Sequence, residues 1–100
     1  MERQSILDTA QQLVNNDRNS VYGHPRDNFG TTAEMWNAYI KRRMASHAAK
    51  TENPFELTAL DVAHMMALVK MARLANTPDH PDSIVDVVGY ELTADKVING

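Results

Sequence analysis

The sequence predicts an all-α domain of four helices, in which the third and fourth helices form an antiparallel hairpin. Apolar residues recur at intervals of three and four along most of the chain, which is the spacing of amphipathic helices. No stretch alternates apolar and polar residues for long enough to indicate a strand. The turn-forming residues gather in segments 15–27, 50–56 and 76–81, which leaves four helices in a single domain of 100 residues.

The composition argues against several classes of function. A formal charge of −3 disfavours nonspecific binding to nucleic acid, which needs a net basic surface. The absence of cysteine excludes disulfides, thiolate metal sites and a cysteine nucleophile. No apolar run approaches the ~20 residues of a membrane span, and the first residues lack the apolar core of a signal peptide, so a cytoplasmic protein is expected.

The first two helices are each predicted from an apolar stripe. The first should span about residues 2–15, with a stripe formed by Ile6, Ala10, Leu13 and Val14. The second should run from about Asp27 or Thr31 to Ala48. Its stripe consists of Phe29, Ala33, Trp36, Ile40 and Met44. Its solvent face carries Glu34, Asn37 and Lys41.

The third helix has a clear start signal in Thr58, which is followed three residues later by Asp61 in the pattern of a capping box. Leu57 and Val62 occupy the positions of a hydrophobic staple. The helix should end near residue 75, before Pro78. Because it is apolar on almost every side, we expect it to be central or to contact another subunit, which predicts a homo-oligomeric bundle.

The fourth helix should begin with Asp79 as its N-cap and Pro81 in its first turn, and should run to about Val97. A polar stripe crosses this otherwise apolar helix. The stripe consists of Asp82, Asp86, Tyr90 and Thr93, with Gly89 beside it.

The two carboxylates of this stripe lie at i and i+4, where they repel each other unless a cation is near. The cation could be Mg²⁺, which accepts one or two carboxylates together with phosphate oxygens and water. It could also come from helix three, because counting back from the hairpin loop places Arg73 level with Asp82 and Lys70 level with Asp86. Asp82 would in addition stabilise the helix dipole.

Two further pairs on helix three are candidates. Lys70 and Arg73 lie at i and i+3, so they need an anion, which is either the aspartate pair or a ligand phosphate. Asp61 and His64 have a spacing that can hold a metal, although capping explains Asp61 and packing explains His64 equally well.

The loop VYGHPRDNF, residues 21–29, concentrates side chains that can bind a ligand. Tyr22 could stack a base, and Arg26 could hold a phosphate. Gly23 permits unusual backbone angles, and Pro25 restricts His24. The alternative is a firm turn between two helices.

The chain resembles a family of small phage-encoded proteins of uncharacterised function over roughly residues 18–90. The resemblance rests on YGHPRDNF, a Trp in the next helix, DVAHMMALVKMARL and HPDSIVDVVGY. The last two helices are more distantly similar to the MazG-type all-α nucleotide pyrophosphohydrolases. Asp86 stands at the place of an acidic residue of their second acidic helix. The acidic motif is degenerate, because Ser83 replaces a glutamate and only Asp61 and His64 correspond to the first motif.

The resemblance implies an oligomeric helical protein that handles a nucleotide, in the host cytoplasm if it is phage-encoded. In the enzymatic version it splits NTPs or dNTPs into monophosphate and pyrophosphate with Mg²⁺. The implied catalytic residues are Asp82, Asp86 and His64. The implied metal ligands are Asp61, Asp82 and Asp86. The ligand contacts are expected from Tyr22, His24, Arg26, Lys70, Arg73 and Tyr90. The alternatives are a non-catalytic oligomer that binds or sequesters a nucleotide, and an assembly protein whose polar residues specify helix register.

Overall fold

The all-α prediction is confirmed by a computed structural model, which describes residues 2–17 and 22–100. In these residues the chain forms four α-helices and no strand. Helix α1 spans Arg3–Gln12 and continues into a π-helical turn, Leu13–Asp17. Helix α2 spans Pro25–Ala48, helix α3 spans Ala59–Asn76, and helix α4 spans Pro81–Asn99. None of the helices in these ranges is long and apolar enough to cross a membrane.

Helices α3 and α4 form the expected antiparallel hairpin. Lys70 contacts Asp86, and the earlier His64 contacts the later Glu91, so the two chain directions are opposed. The apolar core of the described chain is small, and four of its five buried apolar residues are alanines. These residues are Ala63, Met65, Ala67, Ala72 and Ala94. Small side chains at the contact allow the helix axes to approach closely.

Helix α2 packs on α3 with a face that is rotated by one residue from the predicted stripe. Phe29 at the head of that stripe is 62% exposed, whereas its neighbour Asn28 is buried. The reason is hydrogen bonding, because the side chains that turn toward α3 are polar at their tips. Tyr39 and Arg43, which lie outside the predicted stripe, both donate to Asp61 of α3. Trp36 belongs to both faces, and its indole Nε1 donates to the carbonyl oxygen of Met65 at 2.7 Å.

The carboxylate of Asp61, only 1% exposed, joins α2 to the start of α3. Its Oδ1 accepts hydrogen bonds from the hydroxyl of Tyr39 at 2.7 Å and from Nε of Arg43 at 2.6 Å. Its Oδ2 accepts from the backbone N–H and the hydroxyl of Thr58, both at 2.9 Å. Thr58 Oγ1 in turn accepts from the backbone N–H of Asp61, so the predicted capping box is confirmed. We call Asp61, Tyr39, Arg43 and Thr58 the Asp61 hub.

The electrostatics of the hub favour a permanently charged carboxylate. The hydrogen bond from Arg43 holds the pKa of Asp61 well below its usual range, against the opposing effect of burial. The same bond raises the pKa of Arg43. Burial, together with the hydrogen bond to Asp61, raises the pKa of Tyr39 to about 12. Tyr39 therefore remains a hydrogen-bond donor at any physiological pH.

Two local expectations differ from the structure. The N-cap of α4 is His80, not Asp79, because Nδ1 of His80 accepts from the backbone N–H of Ser83 at 3.3 Å. Pro81 does occupy the start of the helix. Helix α1 forms, but its apolar stripe is not buried, since it packs on none of the other three helices within the described residues and Ile6 remains half exposed.

Loss of the hub carboxylate should strongly destabilise the protein. We expect Asp61→Ala to lower the free energy of unfolding by about 3 kcal/mol, because it removes a helix cap and leaves buried donors without an acceptor. The exposed Asp95→Ala is the matched control and should change it by less than about 0.5 kcal/mol. Urea unfolding followed by circular dichroism measures both, and equal effects would contradict the role of the hub.

The stabilisation from the hub should also depend on pH. Because the pKa of Asp61 is lowered in the folded state, its contribution is complete above the unfolded carboxyl pKa of about 4. It is lost as the pH falls toward the folded pKa, since the unfolded state binds the proton first. The difference in unfolding free energy between the wild type and Asp61→Asn should therefore narrow below about pH 4. A difference that is constant down to the acid transition would disprove this linkage.

Candidate functional site

The described part of the loop singled out in the sequence, Tyr22 onward, packs against the end of α3, whereas Val21 lies outside the described residues. The guanidinium carbon of Arg73 stands 4.2 Å from the centre of the Tyr22 ring, as a cation–π contact. The ring of His80 meets the Tyr22 ring edge-on, with 5.7 Å between centres. Tyr22 therefore connects the last turns of α3 to the start of α4.

Gly23 makes this close approach possible. Its φ is +79°, a region that side-chain-bearing residues rarely adopt. A Cβ atom at this position would lie 3.0 Å from Oδ1 of Asn76 on α3. The sequence analysis assigned Gly23 this conformational freedom, and the structure shows the contact that requires it.

A cavity of about 140 Å³ opens between this loop, α2 and the end of α3. Its walls are mainly apolar. They consist of Val14, Tyr22, Gly23, Pro25, Asn28, Phe29 and Arg73. A second depression of about 200 Å³ shares Tyr22, Gly23 and Asn28 with it and reaches Asn76, so the two are adjacent. We call the two together the Tyr22 pocket.

Two polar atoms in the wall of the Tyr22 pocket have no partner. Oδ1 of Asn28 and Nε of Arg73 belong to residues that line the pocket, are inaccessible to solvent, and make no hydrogen bond within residues 2–17 and 22–100. Asn28 is more than nine-tenths buried. A buried polar atom without a partner costs about 1–3 kcal/mol, so such atoms in a cavity wall favour a ligand or a bound water. Asn28 was not among the predicted site residues, and its only signal in the sequence was its place within the polar loop.

His24 and Arg26 lie outside the lining of this pocket. Nδ1 of His24 accepts from the backbone N–H of Arg26 at 3.1 Å and so caps α2, with Pro25 at the first helical position. The Arg26 side chain is largely exposed and lies 3.9 Å from Asp27. The structure therefore gives His24 a capping role. Arg26 lies at the surface, and although it is close in sequence to residues that line the pocket, it does not line the pocket itself.

The predicted charge pairs between α3 and α4 are only half realised. Nζ of Lys70 lies 3.3 Å from Oδ2 of Asp86, which is the pair that counting back from the hairpin loop predicts. Arg73 does not pair with Asp82 but turns to Tyr22, and Asp82 is exposed on the first turn of α4. The expected Arg73–Asp82 pair is thus wrong, because the loop supplies a closer partner for the guanidinium.

The polar stripe of α4 lines a shallow depression of about 340 Å³ on the surface. The depression is formed by Val85, Asp86, Gly89, Tyr90 and Thr93. His64 faces neither this depression nor Asp61, since its Nδ1 lies 3.0 Å from Oε1 of Glu91. In residues 2–17 and 22–100 there is no group of three or more His, Asp or Glu side chains placed to hold a metal ion.

These features define a small helical protein with one polar hub and one aromatic pocket, and the chain belongs to the family described as a domain of unknown function, DUF6378, whose model matches residues 5–98. It is 35% identical over 94 residues to the Gene 55 protein of Mycobacterium phage D29. It is 37% identical over 93 residues to the Gene 55 protein of Mycobacterium phage L5.

These alignments cover 94% and 93% of this chain but 54% and 52% of the relatives. The chain thus spans about half the length of the curated relatives it matches. The resemblance to phage-encoded proteins is confirmed, whereas no similarity to MazG-type enzymes is shown. No solved structure matches the chain.

Replacing Gly23 should loosen the loop that closes the Tyr22 pocket. We expect Gly23→Ala to lower the free energy of unfolding by about 1–2 kcal/mol, because of its positive φ and the contact with Asn76. Gly30→Ala is the matched control, since a Cβ at Gly30 in α2 meets nothing within 4 Å. That change should stabilise the helix by about 0.5–1 kcal/mol. If Gly23→Ala is equally stabilising in urea unfolding, the loop does not need this backbone conformation.

Proposed function

We propose that the chain binds a nucleotide, or a related phosphorylated small molecule, in the Tyr22 pocket and does not cut it. The observation that carries the proposal is the pair of unpartnered atoms in the pocket wall. Nε of Arg73 is a hydrogen-bond donor and Oδ1 of Asn28 is an acceptor. A nucleobase edge offers an acceptor and a donor side by side, so it would satisfy both if the two side chains turn toward the pocket.

The shape and chemistry of the pocket support the same class of ligand. Phe29 and Tyr22 supply aromatic surface for a planar ring. The two connected volumes together reach the lower end of small-molecule sites, about 300 Å³. Arg73 brings a permanent positive charge to a pocket that otherwise has mainly apolar walls, and a guanidinium binds phosphate well.

Hydrolysis is the second candidate, and one observation favours it. Asp82 and Asp86 lie one turn apart on α4, with Lys70 beside Asp86 and Tyr90 in the same depression. These residues do not by themselves fit Mg²⁺, because Asp86 is paired with Lys70 and Asp61 is fully engaged in its hub. Two carboxylates suffice for Mg²⁺ only when phosphate oxygens complete its shell, so the nucleotide would have to bring them.

Self-association is a further part of the proposal. Large apolar side chains remain exposed on α1, on α2 and on α4, far more than the described chain buries. Exposed apolar side chains, where they adjoin one another, are typical of an interface between proteins. The phage origin of the relatives supports the host cytoplasm as the setting.

Thermal unfolding in the presence of NTPs, dNTPs, monophosphates and cyclic nucleotides tests the binding. We expect at least one to raise Tm in a concentration-dependent way, since a ligand at a hundred times its Kd stabilises the folded state by about 2.7 kcal/mol. Arg73→Gln should remove the shift. The exposed Arg42→Gln on α2, which makes the same change of charge, should keep it. If no nucleotide shifts Tm, or if Arg73→Gln binds as well as the wild type, the proposal fails.

Release of pyrophosphate from NTPs or dNTPs with Mg²⁺ separates binding from hydrolysis. We expect none above background, because the acidic residues of one chain do not converge. Release that is lost in Asp86→Asn but retained in the matched surface variant Asp95→Asn would establish the catalytic alternative instead.

A further inference from the structure

We propose that two copies of this chain pack antiparallel through the side of α4 that points away from α3. We define this outer α4 face by four residues, Ile84, Val85, Val88 and Leu92. The proposal rests on the self-association proposed above and assigns it a surface and an orientation. It is independent of the Tyr22 pocket, because none of these four residues lines that pocket.

Helix α4 has two apolar sides, and only one of them has a partner within the described chain. Its buried residues, Ser83 and Ala94, point toward α3. At about 100° per residue the outer α4 face is centred roughly 150° away from them. All four of its side chains are about half exposed or more, and Val88 at its centre is 54% exposed.

The chain exposes more surface than a compact monomer of its mass. The chain exposes 7374 Å² to solvent. A compact monomer of 11.2 kDa exposes about 5,700 Å². The excess, about 1,700 Å² for one chain, is about twice the ~800 Å² that each partner contributes to a standard specific interface, so the outer α4 face accounts for only part of it. A second copy is a suitable occupant because it presents the same apolar stripe.

The spacing of the stripe suits a helix–helix contact of limited length. Val85, Val88 and Leu92 follow intervals of three and four, which is the pattern of a coiled-coil seam. The next seam positions, Asp95 and Asn99, are polar, so the seam covers about two turns. A twofold axis near Val88 places this residue beside its own copy and Val85 beside Leu92 of the second copy.

Charge selects the antiparallel orientation. Asp82 near the start of α4 and Lys96 near its end flank the same side of the outer α4 face. In the antiparallel pair that sets Val85 beside Leu92, Asp82 of one copy lies within about one residue of the level of Lys96 of the other. A parallel pair would bring the two Asp82 side chains to the same end and the two Lys96 side chains to the other, and would align the two helix dipoles unfavourably.

Cysteine crosslinking tests both the surface and the orientation, because the chain contains no cysteine of its own. Val88→Cys should form a disulfide-linked dimer on mild oxidation. Val62→Cys is the matched control, because this α3 residue is equally exposed at 52%, and it should not crosslink. Val85→Cys should crosslink with Leu92→Cys but not with itself, since antiparallel packing separates the two copies of residue 85 by ~10 Å.

Sedimentation of the full chain completes the test. We expect a concentration-dependent dimer that Val88→Lys converts to a monomer with an unchanged helical spectrum, whereas Val62→Lys remains a dimer. A wild type that is monomeric at every concentration overturns the self-association and this surface together, and leaves nucleotide binding to be decided by its own test. A dimer that neither Val88→Cys traps nor Val88→Lys dissociates overturns the surface alone.

Two other results would overturn the proposal in part. Efficient crosslinking of Val85→Cys with itself would reverse the orientation to parallel. A monomeric chain that floats with anionic lipid vesicles, and loses this in Val88→Lys, would assign the outer α4 face to a membrane surface instead of a second copy.

Discussion

The buried carboxylate of Asp61 is the constraint on which the arrangement of the helices depends. It accepts hydrogen bonds from Tyr39 and Arg43 of α2 while it caps α3 through Thr58. A carboxylate that is 1% exposed must keep these partners, because leaving it or its donors unpaired in the interior is costly. Helix α2 is therefore fixed in rotation about its own axis, even though this leaves the apolar side chain of Phe29 in solvent.

The rotation of α2 has a consequence at the other end of α3. The face that carries Tyr39 and Arg43 to the hub also carries Asn28, three turns earlier, into the wall of the Tyr22 pocket. There the chain places an amide oxygen and a guanidinium nitrogen without partners beside aromatic surface. Within the described residues, the buried polar atoms of the Asp61 hub have hydrogen-bond partners, whereas two buried polar atoms of residues that line the Tyr22 pocket have none. Hydrogen-bonding capacity that a ligand could use is therefore found at that pocket.

The buried carboxylate of Asp61 is paired within one chain, whereas many large apolar side chains of the described residues stay exposed to solvent. This buried charge is resolved within one chain by the Asp61 hub, so it need not specify the register of an assembly, as one reading of the sequence suggested. Four of the five buried apolar residues of the described chain are alanines, so its core buries little apolar area. The two proposals, association through the outer α4 face and binding of a ligand in the Tyr22 pocket, would each bury additional apolar surface and so stabilise the folded chain.

The sequence by itself determined the helices, the capping box of Thr58 and Asp61, and the antiparallel hairpin with its Lys70–Asp86 pair. All of these follow from caps, from periodicity and from the length of one short connection, which are local. Only the tertiary structure decided which face of α2 is inside, where Arg73 turns and which atoms remain unpaired. The rotation of α2 rests on hydrogen bonds across 18 and 22 residues, from Arg43 and Tyr39 to Asp61. The apolar pattern of the α2 sequence does not reveal these bonds. They rotate the buried face of the helix by one residue, and the sequence pattern is the same with or without that rotation.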